Sequence, residues 1–123
     1  MSLKSKLNKI KILVATTNPG KLKEIRQALA GLPLTLLSLE DTSITARSPE
    51  KGKTFLENAR AKSLFYSQFT EHLVLAEDSG LEIEALKGAP GVLSARFAGP
   101  EANDEKNISK VLALMKNVPP GKR

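Results

Sequence analysis

Two short polar segments hold the side chains that could do chemistry. Residues 16–21, TTNPGK, follow the apolar run Ile10, Ile12, Leu13, Val14, Ala15 and precede a helical pattern. A turn of that composition at a helix start offers backbone N–H groups and a lysine to an anion, and a phosphate chain is the anion it suits. A plainer reading also suffices: Asn18 caps the helix, Pro19 fits the first helical position because no donor is needed there, and Gly20 tolerates a tight approach. The spacing is not that of the Walker A loop. The second segment, LAEDSGL at 75–81, sets Glu77, Asp78 and Ser79 at the carboxyl end of another apolar run. Ligands of α/β folds bind at that edge of a sheet, and adjacent carboxylates there suit a hard divalent ion such as Mg²⁺, which bridges phosphates. An ordinary Asp-Ser-Gly turn accounts for the same residues.

Composition narrows the chemistry further. The 123 residues include no Cys and 1 His, so thiolate metal sites, disulfides and cysteine nucleophiles are excluded. His72 lies in the polar stretch Thr70, Glu71, His72 and reads as a solvated surface residue. Carboxylates, lysines and backbone must carry any reaction. The formal net charge of +6 points to acidic partners, among which nucleotides and nucleic acid both qualify. Much of the excess is terminal, with Lys4, Lys6, Lys9 and Lys11 at one end and Lys122 and Arg123 at the other, and residues 1–9 read as a flexible basic segment. Aromatic residues are only 4%, which leaves few stacking platforms and argues against a dedicated nucleic-acid surface. No apolar run approaches the roughly 20 residues that span a bilayer, and residues 1–9 lack an apolar signal core, so the expected compartment is the cytoplasm.

The elements that must position these segments alternate in type. After the first strand, Leu22, Ile25, Ala28 and Leu29 recur at helical spacing until Gly31 and Pro33. Leu34, Leu36, Leu37 and Leu39 predict a second strand, and the polar stretch Glu40 to Lys53 a loop long enough to carry function. Thr54 with Glu57 forms a capping box, opening a helix that runs toward Phe69. Leu73 to Ala76 predict a third, buried strand, and the alternation of Leu81, Ile83 and Ala85 with Glu82 and Glu84 predicts a half-exposed fourth. A Gly- and Pro-rich stretch from Lys87 to Pro100 precedes a last helix, capped by Asn103 and stopped before Pro119, Pro120 and Gly121. The expected fold is one α/β domain over 1–123, a layered mixed sheet flanked by helices.

The segments TTNPGK, TFLENARAK, EDSGL and GAPGVLSARF occur in that order, and together they resemble the Ham1-like inosine triphosphate pyrophosphatase family. The resemblance spans about Ile10 to Val118 and implies a Mg²⁺-dependent homodimer that hydrolyses non-standard purine nucleoside triphosphates to monophosphate and pyrophosphate, cleaning the nucleotide pool. It implies that Thr16, Thr17, Asn18, Pro19, Gly20 and Lys21 contact the triphosphate, with Lys62 as a second phosphate lysine. Asp78 matches the family's metal ligand and general base, Glu50 a second metal-site acid, Glu77 a supporting acid, and Ser79 a substrate contact. Ser94, Ala95 and Arg96 match the family's SAR segment, with Arg96 a substrate contact. The family's later base-recognition segments are not present, so the chain reads as the N-terminal portion of such a protein. A polypeptide of this length is expected to hydrolyse inosine triphosphate poorly alone and to expose apolar edges. The alternatives are a Maf-type nucleotide pyrophosphatase, separated by its preference for methylated pyrimidines, and a basic nucleic-acid-binding module, separated by a steep salt dependence of binding.

Overall fold

The computed structural model describes residues 10–123; the basic segment 1–9 lies outside the described residues. Two compact units emerge. The first runs to Gly52 and resumes over Leu56–Glu77, and the second comprises Lys53–Phe55 and Asp78–Arg123.

Five elements build the first unit: β1 (Lys11–Val14), α1 (Pro19–Ala28), β2 (Thr35–Leu37), α2 (Phe55–Ser67) and β3 (Leu73–Leu75). The strands form one parallel sheet in the order β2-β1-β3, with Ile12 opposite Leu36 on one side and Leu73 on the other. Parallel neighbours need crossover connections, which the helical segments provide. The central strand is apolar because both its sides and both its faces are occupied: Leu13, Val14 and Ala15 are essentially fully buried. Leu13 and Ala15 join Leu39 and Tyr66 in the core, with Phe65 edge-on to the Tyr66 ring at 5.0 Å. The expected α/β architecture is thus present, as a small parallel sheet with helices.

The third strand departs from expectation. Its apolar run predicts burial, yet Leu73 is 65% and Leu75 36% exposed, while Val74 between them packs against the core. β3 is an edge strand with one face uncovered within the described chain. Composition reads the same for a strand covered on one face or on two.

In the second unit, α3 (Asp104–Met115) begins as predicted, with the Asn103 side chain accepting from Lys106 N at 2.8 Å. Asn107, mostly buried, donates to Ala95 O and accepts from Ala98 N, tying α3 to the preceding segment. The predicted fourth strand over 81–85 does not form. Only Glu82 pairs, in an isolated antiparallel bridge with Pro90, and a 3-10 turn over Glu84–Leu86 follows. Alternation reports which side chains face solvent, but a strand also needs a ladder partner, and here the chain doubles back so that Gly88 N bonds Ile83 O at 2.9 Å. That bridge lies outside the sheet, which is parallel throughout rather than mixed as expected among the described residues. No described helix is long and apolar enough to cross a membrane.

Candidate functional site

The TTNPGK turn leaves the carboxyl end of β1 and enters α1. Thr16 Oγ1 accepts from Asn18 N at 3.1 Å, and Asn18 Oδ1 accepts from Gly20 N at 2.8 Å and Lys21 N at 3.2 Å. The amides that the sequence offered to an anion are therefore engaged by the turn's own side chains, and an incoming phosphate would exchange with Asn18 Oδ1 for them. Lys21 Nζ sits 3.6 Å from Glu24 on the same helix, a solvent-screened pairing that holds it weakly. A cavity of about 370 Å³ opens beside the turn, lined among others by Thr16, Asn18, Pro19, Ser38, Ile44 and Arg47.

At the carboxyl end of the neighbouring β3, three more of the predicted residues meet. Lys62 Nζ lies 3.3 Å from Glu50 Oε1 and donates to the Glu77 carbonyl at 3.2 Å. Lys62 is only 13% exposed in its side chain and Glu50 32%, so this pair is less screened than the others. Because β1 and β3 are parallel neighbours, the turn after β1 and Glu77 after β3 leave the same edge of the sheet.

In the second unit, Asp78 is half-buried and its Oδ1 accepts from Ser79 N at 3.1 Å; Ser79 is exposed. The acidic turn takes its shape from contacts with residues 91–94. Ser94 Oγ accepts from Leu81 N at 2.8 Å and donates to Gly91 O at 2.6 Å, and a Cβ on Gly80 would lie 2.5 Å from both Gly91 O and Ser94 Oγ. Gly80 is thus required for a close approach of backbones, and Ser94 serves the turn's shape. Arg96 is exposed at the end of the 3-10 segment Gly91–Arg96. His72 is exposed, as expected.

Three features escape the sequence reading. Asn58 and Tyr66, both 2% exposed, flank Lys62 on α2 and bond the loop that carries Glu50; their four-residue spacing about Lys62 was the available signal. Ser38 and Asp41 form a reciprocal box, Ser38 Oγ accepting from Asp41 N and Asp41 Oδ2 accepting from Ser38 N, each at 2.9 Å. These bonds, with Arg26 at 3.3 Å, hold the Asp41 carboxyl below its ordinary pKa, the Ser38 backbone N–H being the largest cause.

Glu50 and Glu77 in the first unit, and Asp78 in the second, each offer hard oxygen donors, although no cluster of three or more acidic or imidazole ligands exists among the described residues. Mg²⁺ is commonly held by one or two carboxylates together with waters and substrate phosphates. Oxygen donors of that type suit such an ion in company with a polyphosphate.

Known proteins resemble this chain in sequence and in fold. The sequence profile of the Ham1 family matches residues 12–123. A dITP/XTP pyrophosphatase of Geobacter sulfurreducens is 50% identical over 109 residues, covering 89% of this chain and 55% of that protein. Its counterpart in Haemophilus ducreyi is 43% identical, covering 95% and 59%. Among solved structures, a HAM1 protein from Coxiella burnetii superposes with a TM-score of 0.76 at 38% identity, over 87% of this chain and 54% of that one. A dITP/XTP pyrophosphatase from Mycobacterium abscessus gives 0.74 at 38% identity, over 93% and 60%. The chain thus spans little more than half the length of these relatives.

Proposed function

The chain belongs to the Ham1 family, and from that premise we propose that its protein hydrolyses non-canonical purine nucleoside triphosphates, those of inosine, deoxyinosine and xanthosine, to nucleoside monophosphate and pyrophosphate. The role served is removal of such nucleotides from the pool, in the cytoplasm, by a Mg²⁺-dependent homodimer. The observation that carries this reading is the Lys62 ammonium held between Glu50 Oε1 and the Glu77 carbonyl, at the same sheet edge as TTNPGK.

Hydrolysis of an anhydride asks for charge compensation, positioning and a base. Lys21 and Lys62 supply two cations for the triphosphate, and Thr16, Thr17, Asn18, Pro19 and Gly20 line its backbone contacts. Ser79 and Arg96 add substrate contacts. Asp78 takes a proton from the attacking water as the new P–O bond forms and the α–β anhydride bond breaks, with pyrophosphate as leaving group. Glu50, Glu77 and Asp78 would hold Mg²⁺, which supplies offset of the phosphate charge.

The test is Asp78→Asn in a chain of full family length. General-base loss predicts a fall in turnover of about 10²–10⁴-fold with the melting temperature unchanged. Near-normal turnover would remove Asp78 from the mechanism. In the same chain Lys21→Ala should raise KM for inosine triphosphate more than it lowers kcat, and unaltered kinetics would place Lys21 outside the site.

A further inference from the structure

Asn58, Lys62 and Tyr66 follow one another at four-residue intervals and so share one face of α2. The loop before α2 runs along that face in the opposite direction. Tyr66 Oη donates to Ala46 O at 3.1 Å and accepts from Ser48 N at 3.3 Å; Lys62 Nζ meets Glu50 Oε1 at 3.3 Å; Asn58 Oδ1 accepts from Gly52 N at 2.7 Å. Each step of one helical turn meets a loop residue two positions earlier. The anchors at Ser48 and Gly52 stand symmetrically about Glu50, two residues away on either side.

Two observations argue that this grip serves the carboxylate. First, both anchors bond backbone atoms, which fixes the path of a segment that has no regular secondary structure of its own. Second, the approach at Gly52 is close enough to exclude a side chain, since a Cβ there would lie 2.5 Å from Asn58 Oδ1 and 2.9 Å from Glu57 Cβ. Lys62 cannot fix the carboxylate's direction, because an ammonium on a flexible stem acts as a point charge. We infer that Asn58 and Tyr66 are positioning residues for Glu50, strapping the loop 46–52 to α2 so that its carboxylate is aimed at a divalent cation accompanying the triphosphate. The inference rests on the proposed function in taking Glu50 as an acid of that cation.

The experiment measures the Mg²⁺ concentration giving half-maximal turnover of inosine triphosphate by a chain of full family length. In parallel, calorimetry measures Mg²⁺ affinity with a non-hydrolysable imido analogue present. Asn58→Ala and Tyr66→Phe should each require about ten-fold more Mg²⁺ in both assays, the range found when supports of metal ligands are removed. KM for the triphosphate at saturating Mg²⁺ should stay within about two-fold. Tyr66→Phe keeps the buried ring, so it carries the test if Asn58→Ala fails to fold. In a Glu50→Gln background neither change should shift the Mg²⁺ requirement further. A lowered melting temperature with an unmoved Mg²⁺ requirement would overturn the inference and leave the function standing. A Glu50→Gln variant with a normal Mg²⁺ requirement would overturn it through its premise, the metal role of Glu50.

Discussion

The turn that enters α1 at 16–21 and the loop at 46–52 lie in one unit, yet they are held in opposite ways. The turn holds itself: Thr16 and Asn18 satisfy amides two and three residues ahead. The loop is held from outside, by Asn58 and Tyr66 on α2, six to twenty positions away in sequence. A self-capped turn keeps its geometry whatever surrounds it, and its donors can be exchanged for a ligand's acceptors. A strapped loop has geometry only in the folded unit, and the carboxylate of Glu50 depends on a helix to which it does not belong.

That contrast can be broken experimentally, beginning with the strap. Gly52→Ala places a methyl against Asn58 and Glu57, and overpacking of this kind costs about 1–3 kcal/mol. Urea unfolding should register it; an unchanged midpoint would mean that the loop is not pinned where it meets α2. Removing the cap of the self-held turn costs less: Asn18→Ala should lose about 1 kcal/mol in the same urea measurement, the usual worth of an N-cap. An unchanged midpoint would show that the turn is not held by its own side chain. The smallest effect belongs to the Ser38–Asp41 box, in which Ser38 is buried but the Asp41 side chain is half exposed. Because the folded-state pKa of Asp41 is lowered, its contribution is present above the unfolded value near about 4 and is lost as pH falls through the folded one. The stability gap between Asp41→Asn and the unaltered chain, measured by urea unfolding at neutral pH, should therefore close in acid. A gap that persists in acid would contradict that origin.

The same contrast governs what the sequence could reveal. Devices that close within four residues were legible: the Asn18 and Asn103 caps, the Pro19 helix start, the β1–turn–α1 unit and the α/β alternation. Ser38–Asp41 is equally local, and only its Asp in place of the usual Glu or Gln kept it from notice. Contacts across longer separations were not legible. Leu73 and Leu75 have the composition of buried strand residues but lie on an uncovered face. Glu82 and Glu84 alternate with apolar residues, yet only Glu82 pairs, in one isolated bridge. Among the candidate site residues, Lys62, Glu50 and Glu77 are separated by 12 and 15 positions and nothing in their own neighbourhoods pairs them. They were nameable only through the order of the four family segments, and Asn58, inside one of those segments, went without a role.

The central claim is that these residues serve hydrolysis of a purine triphosphate at its α–β anhydride, and phosphorus NMR tests it most directly. Inosine triphosphate incubated with Mg²⁺ and a chain of full family length carrying these residues should give inosine monophosphate and pyrophosphate in equal amounts, with the Asp78→Asn variant slower by about 10²–10⁴-fold. Release of orthophosphate with inosine diphosphate, or equal turnover by Asp78→Asn, would contradict the account.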